Sequence, residues 1–170
     1  MAVPTTPVTP SAVAAAPAAS SPATTSAFDA VLVKTNPDGV CSFVNARNLV
    51  ISSADCEEWV RGKTLALYFS ASWCRPCVEF TNILVDYLSR HSDQVVGLLV
   101  PFDRSRTEAI KYLSKMPNLL CLEYDPVWLD AIKDSFDVRS IPTLVFINAA
   151  GTQHIPAGVD LVTRDEVPWQ

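Results

Sequence analysis

The chain has 170 residues, 13 prolines, five cysteines and a formal net charge of -5 at pH 7. This length suits one domain with a core of its own, and no apolar stretch approaches the roughly 20 residues that a transmembrane helix needs. The acidic balance, with no run of lysines and arginines, excludes an electrostatic nucleic-acid binder. Five irregularly spaced cysteines are also too few for a small disulfide-rich scaffold. We therefore expect a cytoplasmic globular protein that binds neither membrane nor nucleic acid.

The first 27 residues differ in composition from the rest of the chain. They contain five prolines and no charged or aromatic side chain. Such a segment offers too little apolar surface to offset the entropy lost on ordering. Residues 1–27 are therefore predicted to be a disordered tail, and residues 28–170 a folded domain. The tail lacks the arginines of a mitochondrial presequence, and prolines interrupt any secretory signal, but an organellar address stays open as the alternative.

In the predicted domain, strand patterns alternate with helix patterns. Two short β-leaning runs at residues 40–44 and 48–52 predict a hairpin. Further strands are predicted at residues 64–70, 94–100, 119–124, 143–148 and 152–155. Helices are predicted at residues 77–88, 105–115 and 127–136. This order predicts an α/β fold with a central, mostly parallel mixed sheet flanked by helices and an N-terminal β-hairpin extension.

One motif carries recognisable redox chemistry, and it reads Trp73-Cys74-Arg75-Pro76-Cys77. It lies where a predicted strand gives way to a helix, and the free N–H groups and dipole there stabilise a thiolate on the first cysteine. That thiolate can attack a disulfide, and the second cysteine can attack the resulting mixed disulfide. The proline suits the first helical turn, and the tryptophan offers a flat surface to a substrate disulfide.

Two other uses of this cysteine spacing stay open, a zinc site and a structural disulfide. Zinc would need two further ligands, but the sequence has no second such pair, and His91 and His154 are not suitably clustered with the first. A structural disulfide seldom joins cysteines so close in sequence. The residues therefore favour a redox-active dithiol that needs neither metal nor organic cofactor.

The run from Tyr68 to Cys77 resembles the active-site strand and loop of tryparedoxins, which are thioredoxin-superfamily oxidoreductases of kinetoplastid parasites. Nucleoredoxins are the nearest relatives of that pattern. Further matching segments follow in the same order along the chain: Phe80-Thr81, Asp103, Lys115-Met116-Pro117, Ser140-Ile141-Pro142-Thr143-Leu144 and Val167-Pro168-Trp169. The resemblance covers residues 62–148 well, and it implies a thioredoxin fold.

The resemblance also implies roles for individual residues. Cys74 is expected to attack the substrate and Cys77 to resolve the mixed disulfide. The Ile141–Pro142 bond is expected to be cis and to face the dithiol, although only about 5% of X–Pro bonds are cis in general. The residues expected to bind the substrate or tune the cysteines are Trp73, Arg75, Pro76, Ile141 and Pro142.

For the reaction, the resemblance implies electron transfer from trypanothione, or another low-molecular-mass thiol, to protein disulfides. The implied acceptors are peroxiredoxins or glutathione-peroxidase-type enzymes, and we expect a monomer. The alternative is a nucleoredoxin-like binding module that holds partners through a redox-sensitive surface and turns over little.

Four positions depart from the patterns of known relatives. Arg75 replaces a proline of tryparedoxins. Its charge should lower the pKa of Cys74 and repel a cationic donor, unless the side chain points into solvent and has little effect. Asn118 and Phe102 stand where tryptophan is common, so an aromatic surface would be lost if the Asn118 loop borders the active site. Tyr68 replaces the buried aspartate of thioredoxins, so the proton of Cys77 needs another route.

The remaining cysteines are predicted to be structural. Cys121 is expected to be a small buried apolar residue in a strand. Cys41 and Cys56 lie before the motif, where ordinary packing is favoured over a regulatory or intermolecular disulfide. Trp59 and Trp128 are expected to anchor the core.

Overall fold

The structure is a computed structural model, and it describes residues 43–169. The predicted tail at residues 1–27, the segment 28–42 and Cys41 lie outside the described residues. In the described part the strands are β1 (Phe43–Asn45), β2 (Val50–Ile51), β3 (Thr64–Ser70), β4 (Val95–Pro101), β5 (Leu119–Leu122), β6 (Thr143–Ile147) and β7 (His154–Ile155). The helices there are α1 (Ser53–Val60), α2 (Arg75–Arg90), α3 (Arg106–Leu113), α4 (Pro126–Ser135) and α5 (Gly158–Thr163).

The strands form one sheet in the order β2-β1-β5-β4-β3-β6-β7. The pairs β3–β4 and β4–β5 are parallel, because the crossovers through α2 and α3 return the chain to the same edge. The hairpins β1–β2 and β6–β7 and the pairs β1–β5 and β3–β6 are antiparallel. The sheet is therefore mixed, as predicted. Antiparallel pairs outnumber parallel ones, which the pattern of alternating elements did not indicate, because it does not show where hairpin strands join.

The core lies in two layers, one on each face of the sheet. Alternate residues of β3 point to opposite faces, so this strand is buried on both sides as its apolar run predicts. One face packs Leu67 against Trp128 and other residues of α4, and Trp59 is half-buried against the same layer. The other face packs Tyr68 against α2 and α3. Both tryptophans are therefore part of the core, as predicted.

Most predicted elements are confirmed to within a few residues. The hairpin forms, with β1 pairing antiparallel to β2. Helix α2 begins at Arg75, two residues earlier than predicted, because the Cys74 side chain caps it. Helices α1 and α5 were not predicted. Among the described residues, no helix is long and apolar enough to cross a membrane.

Three segments meet at one end of the sheet. Ser70 and Pro101 are partners at the carboxyl ends of β3 and β4, and the Phe102 N–H donates to the Ser70 carbonyl oxygen at 2.8 Å. Because β6 runs antiparallel to β3, it starts beside Phe69, so the loop before Thr143 reaches this same end. The motif that follows β3 is thus held between two neighbouring loops.

Candidate active site

The two cysteines of the motif are joined by a disulfide, with Cα atoms 5.2 Å apart. Cys74 is the N-cap of α2, and its Sγ accepts the backbone N–H of Cys77 at 3.3 Å. Cys74 keeps 8% of its surface exposed, whereas Cys77 is fully buried. Of the two cysteines, Cys74 is therefore the one with surface open to an incoming thiol.

Apolar groups from both neighbouring loops pack around this disulfide. Phe102, from the end of β4, and Ile141, from the loop before β6, lie against the two cysteines and Ala71. The carbonyl oxygen of Ile141 lies 3.9 Å from the Cys74 sulfur. The Ile141–Pro142 bond is cis, as the resemblance implies, and Pro142 is half-buried just before β6.

Trp73 forms one wall of a shallow pocket next to the disulfide. Its side chain is 57% exposed, and its indole Nε1–H donates to the Phe102 carbonyl oxygen at 3.1 Å. The pocket has a volume of about 230 Å³, and its other lining residues include Phe102, Val138, Ile141, Lys133 and Arg139. One hydrogen bond thus holds the edge of the indole while much of the ring stays open to solvent, and binding of a ligand on its flat face stays a prediction.

Arg75 points away from the disulfide into solvent. Its side chain is 91% exposed and forms an ion pair with Glu79, one turn along α2, at 3.0 Å. Of the two effects predicted for Arg75, the geometry favours the solvent-facing one, because Glu79 offsets its charge and water screens the remainder. Pro76, in the first turn of α2, is exposed as well.

A buried carboxylate holds the loop that carries the motif. The Oδ1 atom of Asp103 accepts both the backbone N–H and the hydroxyl of Ser72, at 2.9 and 2.6 Å. Asp103 is only 4% exposed, and its Oδ2 atom has no hydrogen-bond partner among the described residues. Tyr124 donates its hydroxyl to the Asp103 backbone carbonyl at 2.9 Å, which fixes the loop from the other side. The sequence offered only a family match at Asp103 and did not indicate these hydrogen bonds.

Four hydroxyl groups lie beneath the disulfide and were not predicted as a group. They belong to Tyr68, Ser70, Thr81 and Tyr112, and all four residues are buried. Burial raises the pKa of Tyr68 above its usual range, so its hydroxyl stays a proton donor at physiological pH. A signal was present in the sequence, since Ser70 interrupts an apolar strand next to the motif, but it did not reveal the partners.

The Asn118 loop does not border the active site, so the loss of aromatic surface that depended on that position does not arise for Asn118. Its Nδ2 donates to the Val85 carbonyl and the Ser89 hydroxyl in the second half of α2, at 2.9 and 3.1 Å. The next residue, Leu119, pairs with Gly97 near the start of β4. This loop therefore lies at the amino ends of the parallel strands, opposite the disulfide, and Asn118 removes no aromatic surface from the active site.

The other described cysteines lie in the core. Cys121 is 1% exposed, and burial is the main cause that raises the pKa of its thiol well above the usual range. Cys56 is also fully buried, among the core residues on one face of the sheet. Both match the prediction of ordinary packing. Within residues 43–169, no group of three or more histidine, cysteine or acidic side chains could hold a metal ion.

Comparisons with known proteins match this geometry. A family model described as thioredoxin-like matches residues 62–153, more than half of the chain. The tryparedoxin of Trypanosoma brucei brucei is 40% identical over 116 residues, which cover 64% of this chain and 80% of that protein. The chain belongs to the tryparedoxin family. It therefore has the thioredoxin fold, and it is a thiol–disulfide oxidoreductase.

Two further relatives of this tryparedoxin-family chain bear on its function. A tryparedoxin II solved in complex with glutathionylspermidine superposes with a TM-score of 0.70 and 30% identity, covering 82% of this chain and 98% of that one. The nucleoredoxin of Xenopus laevis is 27% identical over 157 residues, which cover 82% of this chain. That match spans only 38% of the nucleoredoxin, so the likeness concerns a part of the larger protein.

Proposed function

We propose that this protein carries electrons from a low-molecular-mass thiol, of which trypanothione is the first candidate, to disulfides of other proteins. Cys74 is the attacking cysteine and Cys77 the resolving one. The observation that carries this assignment is the difference in exposure, since Cys74 keeps some exposed surface and Cys77 has none. The Cys74–Cys77 pair is itself the electron carrier, so the proposal requires no metal or organic cofactor.

The cycle balances as two half-reactions, each made of two thiol–disulfide exchanges. A donor thiolate attacks the Cys74 sulfur and releases the Cys77 thiolate, which takes up a proton. A second donor thiol then displaces Cys74, which leaves the reduced pair and a donor disulfide. The Cys74 thiolate next attacks a substrate disulfide and releases one substrate thiolate. Cys77 finally gives up its proton and attacks the Cys74 sulfur, which restores the internal disulfide and releases the second substrate thiol.

The solved relative supports the choice of donor. Glutathionylspermidine joins glutathione to a polyamine, and trypanothione belongs to the same class of conjugate. In this chain the shallow pocket of Trp73 and the Ile141 carbonyl lie beside the Cys74 sulfur, where a peptide-like thiol would bind. Peroxiredoxins or glutathione-peroxidase-type enzymes are the proposed acceptors, and we place the protein in the cytoplasm as a monomer.

The experiment that tests this function is reduction of the oxidised protein by candidate donors. Trypanothione, glutathione, and thioredoxin reductase with NADPH are compared at equal reducing equivalents. We expect trypanothione to be the fastest. Reduction by none of the three would contradict the proposal. Fastest reduction by thioredoxin reductase would show that the donor is not a low-molecular-mass thiol, but it would leave the electron-carrier role in place.

Turnover of a protein disulfide separates the carrier from a nucleoredoxin-like binding module. Insulin is a suitable substrate, and Cys74→Ser is the matched inactive variant. The carrier role predicts catalysis by the wild-type chain that Cys74→Ser abolishes. A wild-type rate as low as that of Cys74→Ser would favour the binding module.

A further inference from the structure

A line of hydrogen bonds runs beneath the disulfide and ends on the backbone of Cys77. Thr81 donates its hydroxyl proton to the Cys77 carbonyl oxygen at 2.8 Å. Its oxygen lies 2.6 Å from the Tyr112 hydroxyl, which in turn lies 2.9 Å from the Ser70 hydroxyl. Tyr68 donates to the same Cys77 carbonyl at 2.9 Å. Four side chains from β3, α2 and α3 thus converge on one peptide group.

The proton count fixes the direction of this line. A hydroxyl has one proton to donate, and that of Thr81 goes to the Cys77 carbonyl. The short contact with Tyr112 must then use the proton of Tyr112. Ser70 must in turn supply the proton for its bond with Tyr112. In this assignment every donor points toward Cys77, and only the 3.1 Å contact between the Tyr68 and Thr81 hydroxyls has no proton of its own. Bonds aligned in this way polarise and strengthen one another.

We propose that this hydroxyl line positions the resolving cysteine, with Thr81 as its principal positioning residue. Cys77 can attack the mixed disulfide on Cys74 only when its sulfur is held at the correct distance and angle. Thr81 and Tyr68 fix the Cys77 peptide from two sides, so the thiol lies ready in the first turn of α2 and need not be ordered during the reaction. The inference rests on the proposed roles of the two cysteines.

The location of the line favours this role over general support of the fold. Its members are fully or almost fully buried, and they join the strand that precedes the motif to the helix that follows it. Tyr68 and Ser70 lie in β3, whereas Thr81 lies on α2 one turn after Cys77. The line therefore bridges the short segment that carries both reactive sulfurs, where a small displacement changes the distance between them.

Reaction with 5,5′-dithiobis(2-nitrobenzoate) measures the two cysteines separately. The Cys74 thiolate of the reduced protein attacks the reagent and releases a first thionitrobenzoate, and Cys77 then attacks the mixed disulfide and releases a second. Stopped-flow absorbance follows both steps, and a Cys41→Ser background removes a further thiol from the assay. We expect Thr81→Val to slow the second release about fivefold, as loss of one buried hydrogen bond implies, and to leave the first unchanged.

The remaining variants test whether the line acts as a unit. Thr81→Ser keeps the hydroxyl and should restore the second release. Tyr112→Phe breaks the next link, so its effect should be smaller, and it should add little in the double variant with Thr81→Val. Thr163→Val is the control for the substitution itself, because Thr163 donates to the carbonyl four residues earlier in α5, at 2.8 Å, but at an exposed position away from the cysteines.

The equilibrium of the pair with glutathione gives a second readout. If the Cys74–Cys77 disulfide forms more slowly and opens at an unchanged rate, it becomes less stable. Thr81→Val should therefore make the cysteine pair more oxidising by the same fivefold factor. At about 30 mV per tenfold change, that factor is about 20 mV. A second release and a glutathione equilibrium that match the wild type would overturn the proposal, even if thermal stability falls. A second release that is fast in Cys77→Ser would instead overturn the assigned cysteine roles.

Discussion

The backbone N–H of Cys77 points at the sulfur of Cys74 across 3.3 Å. The first turn of α2 carries no acidic side chain, so the dipole of this helix acts on that sulfur unopposed. Once the disulfide is reduced, the same N–H stabilises a thiolate on Cys74. Cys77 therefore acts on Cys74 in two ways. Its backbone N–H stabilises the Cys74 thiolate before the attack, and its thiol resolves the mixed disulfide afterwards.

The exposed ion pair of Arg75 and Glu79 leads to a prediction about the donor. The pair lies next to Cys74, so Glu79→Gln leaves an unbalanced positive charge where the donor approaches. Reduction by the cationic donor trypanothione should slow about twofold at low salt, and Arg75→Pro should raise it by a similar factor. Glutathione, which carries no polyamine, is the control donor and should not show this slowing. Equal rates for all variants at low salt would show that these charges do not act on the donor.

Asp103 gives a prediction about stability. Asp103→Ala removes the acceptor of two hydrogen bonds from Ser72 and should lower the free energy of unfolding by about 2–3 kcal/mol. Asp103→Asn keeps an acceptor oxygen in the same place and removes a buried charge, so its cost should stay below about 1 kcal/mol. Urea unfolding of the oxidised proteins measures both. A cost for the asparagine variant as large as that for alanine would show that the charge itself is required.

Because the thiol of Cys121 is buried, we expect the free energy of unfolding to fall at alkaline pH. Its pKa is raised in the folded protein, mainly by burial, so the folded state holds its proton at a pH where the unfolded state has released it. The stabilisation is complete below the unfolded pKa of about 8.5 and declines as pH rises above it. Between pH 7 and pH 9.5 this group should remove about 1 kcal/mol from the free energy of unfolding.

Cys121→Ala provides the comparison for that prediction. It lowers stability at pH 7 because it removes a buried sulfur, but its decline between pH 7 and pH 9.5 should be smaller than that of the wild type. Denaturant unfolding of the oxidised proteins at the two pH values gives the difference. Parallel declines in the two proteins would contradict the assignment of this pH dependence to Cys121.

The sequence predicts most of the fold because its strands are strongly apolar and its motif is local. The run at β3 and the cysteine pair at the start of α2 each depend on neighbours in sequence, and both are confirmed. Helix α1 was missed because few of its described positions are fully buried, namely Cys56 and Val60. Helix α5 begins at Gly158 without a side-chain cap, so it lacked the usual start signal.

The parts of the site that could not be predicted depend on contacts between distant segments. Ser70 and Tyr112 are 42 positions apart, and the sequence holds nothing that pairs their hydroxyls. The place of Asn118 depends on the direction in which β5 enters the sheet, which its own residues do not encode. The solvent-facing position of Arg75 depends on Glu79, a partner that the motif alone does not include.

Trapping of a mixed disulfide tests the order in which the two cysteines react. Reduced Cys77→Ser and Cys74→Ser variants are incubated with an oxidised protein substrate, and the adducts are read by intact mass and peptide mapping. If Cys74 attacks first, the Cys77→Ser variant forms a stable adduct through Cys74, and Cys74→Ser forms none. A stable adduct through Cys77 in Cys74→Ser, with none in Cys77→Ser, would contradict it.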